Sequence, residues 1–145
     1  MNAIALNTMT GAVSEYTGFG FQSITPTHAG SATGLFVLGG DTDAGLPIVA
    51  NVTTGKQLWG GSLKKTAQMV YFSLKGSGTS TMIVTGENAS YSYLFPVRDT
   101  GQSRCKPGLG IRENYPDVDY SNTNGANFKL DRIEVLVAES KTRRG

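Results

Sequence analysis

Ser90-Tyr91-Ser92-Tyr93-Leu94-Phe95-Pro96-Val97 decides the fold class. Tyr91, Tyr93, Phe95 and Val97 fall on one face of an extended chain, and Ser90, Ser92 and Leu94 on the other. That period of two marks a half-buried β-strand. Pro96 has no N–H to give to a ladder, so this end of the strand belongs at a sheet edge.

Working outward, the same reading extends over the chain. Met69–Leu74 is apolar on both faces, which suits a central strand. Leu63, Ala67, Val70, Tyr71 and Leu74 also fit a helical stripe. The β-favouring run Val70-Tyr71-Phe72, with Gly76 after it, prefers a strand from about Met69, with room for a short helix before it. Ile48–Thr53 alternates, with Ile48, Ala50 and Val52 on one side. Near the C-terminus the phase breaks: Phe128 and Leu130 share one parity, and Ile133, Val135 and Val137 the other. A β-bulge at Asp131-Arg132 reconciles them, because one extra residue flips the facing of everything after it.

The first third is punctuated about every ten residues. Asn2–Leu6 and Ala12–Tyr16 flank the turn Thr8-Met9-Thr10-Gly11 and predict a hairpin. Phe19–Ile24 and Gly34–Leu38 are further runs, and Gly39-Gly40-Asp41-Thr42-Asp43-Ala44-Gly45-Leu46-Pro47 is a cluster of breakers. The expected architecture is all-β: a jelly-roll-like β-sandwich of antiparallel strands over residues 46–138. A small N-terminal strand lobe (1–45) precedes it and a basic tail (139–145) follows.

Composition agrees with many short strands. Glycine, threonine, serine and asparagine make up over a third of the 145 residues, a turn-rich mixture. One cysteine, Cys105, excludes an internal disulfide framework and any multi-cysteine metal site. No stretch approaches 18 apolar residues, so no membrane span is expected. Residues 1–7 lack the basic and apolar regions of a secretory signal. A net charge of +2 with interspersed signs is no footprint for direct nucleic-acid binding.

No catalytic set emerges from the motifs. The one histidine, His28, reads as a loop residue in Thr25-Pro26-Thr27-His28-Ala29-Gly30, and no G-x-S-x-G elbow is present. Cys105 sits between Arg104 and Lys106, two cations that would lower a thiol pKa, but nothing places His28 beside it. Asp41-Thr42-Asp43-Ala44-Gly45 opens like a calcium loop and then fails, with Gly45 and Val52 where oxygen ligands are required. Lys75-Gly76-Ser77-Gly78-Thr79 lacks the order of a phosphate loop. No cofactor is called for. Aromatics remain as a binding surface: Trp59, Tyr91, Tyr93 and Tyr115 are candidates for a sugar-stacking platform, although rings at strand parity are commonly core.

Two pairs of segments carry a resemblance. The first is Ala5-Leu6-Asn7-Thr8-Met9-Thr10-Gly11-Ala12-Val13-Ser14-Glu15-Tyr16 with Gly34-Leu35-Phe36-Val37-Leu38-Gly39-Gly40-Asp41-Thr42-Asp43-Ala44-Gly45-Leu46-Pro47-Ile48. The second is Gly108-Leu109-Gly110-Ile111-Arg112-Glu113-Asn114-Tyr115 with Asn122-Thr123-Asn124-Gly125-Ala126-Asn127-Phe128-Lys129-Leu130-Asp131-Arg132-Ile133-Glu134-Val135. Together with the basic ending Lys141-Thr142-Arg143-Arg144, their order resembles a β-module recurrent in virion proteins of tailed bacteriophages.

The resemblance implies a non-enzymatic structural component of the tail or neck. It would be made in the bacterial host cytoplasm, present in several copies as a homo-oligomer, and in contact with other virion proteins. Alternatives are a capsid decoration protein and a carbohydrate-binding module for host-surface glycan. Candidate partner-binding residues are Trp59, Tyr115, Lys141, Arg143 and Arg144. Only 17% of residues are charged, a shortage that suits an assembly subunit better than a free monomer.

Overall fold

The computed structural model describes residues 3–18, 20–40, 42–43 and 45–139. The chain forms two compact units, Met1–Gly40 and Asp41–Gly145, divided inside the Gly/Asp cluster. All regular structure among the described residues is β.

In the first unit, β1 (Ala3–Leu6) and β2 (Val13–Tyr16) form an antiparallel hairpin. The Asn7 side chain fixes its turn, Oδ1 accepting from the amides of Met9 (2.9 Å) and Thr10 (3.2 Å). Gly11, at φ +72°, takes the left-handed conformation that closes the turn. β3 (Ser23–Ile24), β4 (His28–Ser31) and β5 (Gly34–Val37) make a second antiparallel sheet in that order. His28 therefore opens a strand, where the sequence suggested a loop. Thr25-Pro26-Thr27-His28 is a tight turn: the Thr25 amide donates to the His28 carbonyl (2.8 Å), and the His28 amide to the Thr25 hydroxyl (3.0 Å). The breakers there span one turn and no more.

The second unit starts with a minimal hairpin, β6 (Thr42–Asp43) and β7 (Leu46–Pro47). Seven strands follow: β8 (Asn51–Thr53), β9 (Lys65–Gly76), β10 (Thr79–Thr85), β11 (Ser90–Pro96), β12 (Gln102–Cys105), β13 (Asp117–Asn122) and β14 (Phe128–Glu139). They form two antiparallel sheets, ordered β11-β10-β13-β8 and β12-β9-β14. Apart from the β10–β11 hairpin, sequence neighbours are assigned to different sheets. This is the strand order of a jelly roll. β11 is an edge strand, as Pro96 requires, and β9 is central in its sheet.

β9 begins at Lys65, four residues before the expected start, and no helix precedes it. One of its faces is buried and the other, with Met69, Tyr71 and Ser73, is only half-covered. The bulge predicted from the broken phase is present: Leu130 pairs with Leu74 and Arg132 with Ser73, leaving Asp131 as the extra residue. A second shift, where Leu136 pairs with Met69 and Val137 with Ala67, leaves Gln68 extra on β9.

The core lies between the two sheets. Val70, Phe72 and Leu74 of β9 meet Met82 and Val84 of β10, Phe95 of β11, and Val118 and Tyr120 of β13. Phe72 stacks on Phe95 with ring centroids 4.8 Å apart and tilts against Tyr120 at 5.5 Å. Fully burying a side chain of this size contributes on the order of 2–3 kcal/mol. The Tyr120 hydroxyl would be costly there alone, and it shares a 2.8 Å hydrogen bond with Ser80.

Candidate functional site

The segment joining β12 to β13 gathers the most chemistry. Glu113 exchanges backbone hydrogen bonds with Lys65 at 2.9 and 3.1 Å, pinning the segment to the start of β9. Gly86 admits the Glu113 side chain so closely that a Cβ at that glycine would lie 2.7 Å from Glu113 Cγ. Pro116 is buried, and its carbonyl accepts from the indole Nε1 of Trp59 at 2.8 Å. Tyr115, held between these anchors, leaves 52% of its surface in solvent.

Beside Tyr115 lies a cleft of about 200 Å³, lined also by Lys56, Lys64, Glu87, Glu113 and Asn114. Its two ammonium and two carboxylate groups balance. Asn114 Oδ1 is shielded from water and accepts no hydrogen bond. A neutral, multiply hydroxylated ligand would find donors, acceptors and one ring face there.

The other candidates fall in different places. Trp59 packs against the core while its N–H is taken by Pro116, so its ring is not part of a platform with Tyr115. It is also one of two non-glycine residues with positive φ among those described, at +47°. Tyr93 packs on the core, whereas Tyr91 is 45% exposed on β11, its ring 3.1 Å from where a Cβ on Gly110 would sit. Lys141, Arg143 and Arg144 lie outside the described residues, as does Asp41.

The expected effect of Arg104 and Lys106 on the Cys105 thiol is corrected. Arg104 and Lys106 lie at the opposite strand parity from Cys105 and are exposed, while Cys105 is buried. Burial pushes its thiol up to about 11, the reverse of activation. His28 belongs to the other unit, with Nδ1 2.9 Å from the Thr27 hydroxyl. Among the described residues no three of His, Cys, Asp and Glu gather as a metal site, and no helix is long and apolar enough to cross a membrane.

Three polar anchors were not read from the sequence. Lys65 is buried, and its Nζ donates to the carbonyls of Leu58 (2.6 Å) and Gly61. Asn122 accepts from the Ala50 amide (2.8 Å) and donates to the carbonyls of Ile48 (3.1 Å) and Ala126 (3.0 Å). Asp117 accepts from the hydroxyls of Thr53 and Thr54. Only parity offered a signal, since Lys65 continues the inward alternation of Ala67. No protein-family model matches this chain, and no curated protein matches it significantly.

Proposed function

We propose that the chain is a structural subunit of a tailed-bacteriophage particle, part of the tail or neck, working in several copies alongside other virion proteins. The phage assignment comes from the sequence resemblance. The observation that supports an assembly role is the apolar surface of the first unit. Ile4, Leu6, Val13, Ile24, Leu35 and Val37 are each more than 60% exposed, and Ala29 is the sole buried residue described there. Small two- and three-stranded sheets are marginal alone, and side chains of this kind gain on the order of 1.5–3 kcal/mol each when covered. Exposed apolar side chains in this number, spread over both sheets of the unit, are what a neighbouring subunit would cover.

The test is to purify particles from infected cells and look for the chain by mass spectrometry and labelled imaging. A location at the tail or neck supports the reading, a place on the capsid shell favours decoration, and absence from particles overturns both. A second reading, glycan binding, is favoured by the exposed Tyr115 over a balanced polar cleft. It expects binding on a glycan array that Tyr115→Ala abolishes, and unchanged binding in that variant removes it.

A further inference from the structure

Four strands bound the two sheets, and three of them are protected against pairing with another chain. β8 has three residues, β12 has four, and β11 carries Pro96. β14 differs. It runs for 12 residues, pairs with β9 along one side, and has no partner on the other among the described residues. In an eight-stranded jelly roll, the strand that opens the roll lies beside the last one; here the first of the seven, β8, lies in the opposite sheet.

The two halves of β14 are unlike. Lys129, the Asp131 bulge and Arg132 guard the first half. Ile133-Glu134-Val135-Leu136-Val137-Ala138 has no lysine, proline, glycine or extra residue. Ile133, Val135 and Val137 face inward but stay only half-buried, and Leu136 is 55% exposed on the other face.

We propose that this segment pairs antiparallel with the same segment of a second copy, about a two-fold axis at Val135. The two three-stranded sheets then join as one of six, β12-β9-β14 continuing into its symmetry mate. The charges select this arrangement. Parallel, in-register pairing sets Glu134 beside Glu134 and Arg132 beside Arg132, which is repulsive. An axis at Glu134 opposes that carboxylate to itself, an axis at Leu136 sets Ile133 against Glu139, and an axis at Ile133 draws the bulge into the ladder. With the axis at Val135, Val135 faces its own copy, Ile133 faces Val137, Arg132 faces Ala138 and Glu134 faces Leu136. Inward residues stay inward on both copies, and no like charges are directly opposed between 132 and 138; the next pair, Asp131 with Glu139, falls at the bulge, where the regular ladder ends. A self-complementary contact of this kind closes as a dimer. The pairing rests on the multi-copy reading above and names one contact within it.

Light scattering on the purified full chain across concentration tests the pairing, with circular dichroism confirming the β-fold of each variant. The wild type is expected to dimerise. Leu136→Glu opposes two carboxylates to the two Glu134 side chains and should raise the dimer dissociation constant about tenfold. Leu136→Lys, equally polar but facing Glu134, should not weaken it. Val135→Cys should form a disulfide-linked dimer under mild oxidation, which wild type with its buried Cys105 should not. Equal weakening by both Leu136 variants, or no cross-link at 135, overturns the pairing. Oligomers that persist in Leu136→Glu show that copies meet elsewhere, leaving the multi-copy reading intact. A wild type that stays monomeric at high concentration removes the pairing as well.

Discussion

The indole Nε1 of Trp59 donates to the Pro116 carbonyl at 2.8 Å, so the loop before β9 holds the segment that presents Tyr115. Trp59→Phe keeps an aromatic ring at this position but removes the bond and part of the indole's apolar contact. We expect a loss of about 1–1.5 kcal/mol in the urea unfolding of the second unit, and Trp59→Ala about 3–5 kcal/mol from the cavity as well. A Trp59→Phe variant as stable as wild type would show that neither the bond nor the lost part of the ring contributes net stability.

Ser80 and Tyr120 test the buried polar pair. Tyr120→Phe strands the Ser80 hydroxyl, which is buried, and should cost about 1–3 kcal/mol. Adding Ser80→Ala removes the stranded group and should recover part of that loss. A double-mutant cycle in denaturant measures the coupling, and strict additivity would argue against the bond.

Cys105 gives a pH prediction. Its folded thiol is raised from 9.0 to about 11 by burial, so the folded state holds its proton where the unfolded state releases it. The stabilisation is complete below pH 9 and is lost as pH rises through 11. Urea midpoints between pH 8 and 11 should therefore fall less steeply in Cys105→Ala than in wild type. In native protein the thiol should also react with a disulfide reagent far more slowly than in urea-unfolded chain.

Asn122 joins residues far apart in sequence through Ala50, Ile48 and Ala126. Asn122→Ala leaves these backbone groups without their partner and should cost about 2–3 kcal/mol. Asn122→Asp should be worse near neutral pH, since a carboxylate has no proton to give either carbonyl. Chemical denaturation of both variants at pH 7 checks the order.

Much of the sandwich was legible because its strongest strands obey one-residue rules. The parity switch between Leu130 and Ile133 located a bulge at Asp131, and Pro96 identified an edge strand. β10, β12 and β13 were harder. Asp117-Val118-Asp119-Tyr120-Ser121-Asn122 offers two apolar residues in six, and its polar members are satisfied by Thr53, Thr54 and Ala126 from elsewhere in the chain. β4, His28-Ala29-Gly30-Ser31, has no β-favouring residue and is a strand because β3 and β5 pair on either side.

The candidate site was legible only as a set of residue types. Tyr115 and Trp59 stood out as aromatics, but nothing local showed that Pro116 would take the indole N–H. Lys56, Lys64, Glu87 and Glu113 come together through tertiary folding alone. The expected lowering of the Cys105 pKa failed because sequence adjacency to two cations counts for little when a strand turns neighbours to opposite faces.

The pairing of β9 with β14 also has a meaning in time. Gly76 of β9 meets Phe128 of β14, so about 50 residues must be synthesised between them before this ladder begins. At about 5–20 residues per second that is a wait of several seconds. Throughout it, Val70, Phe72 and Leu74 are without the strand that forms the longest ladder of the fold. Contacts so distant along the chain are also slow to form once both halves exist. During synthesis β9 of the growing chain is therefore the segment that most needs cover, and slowing its exposure would reduce aggregation without changing the stability of the finished protein.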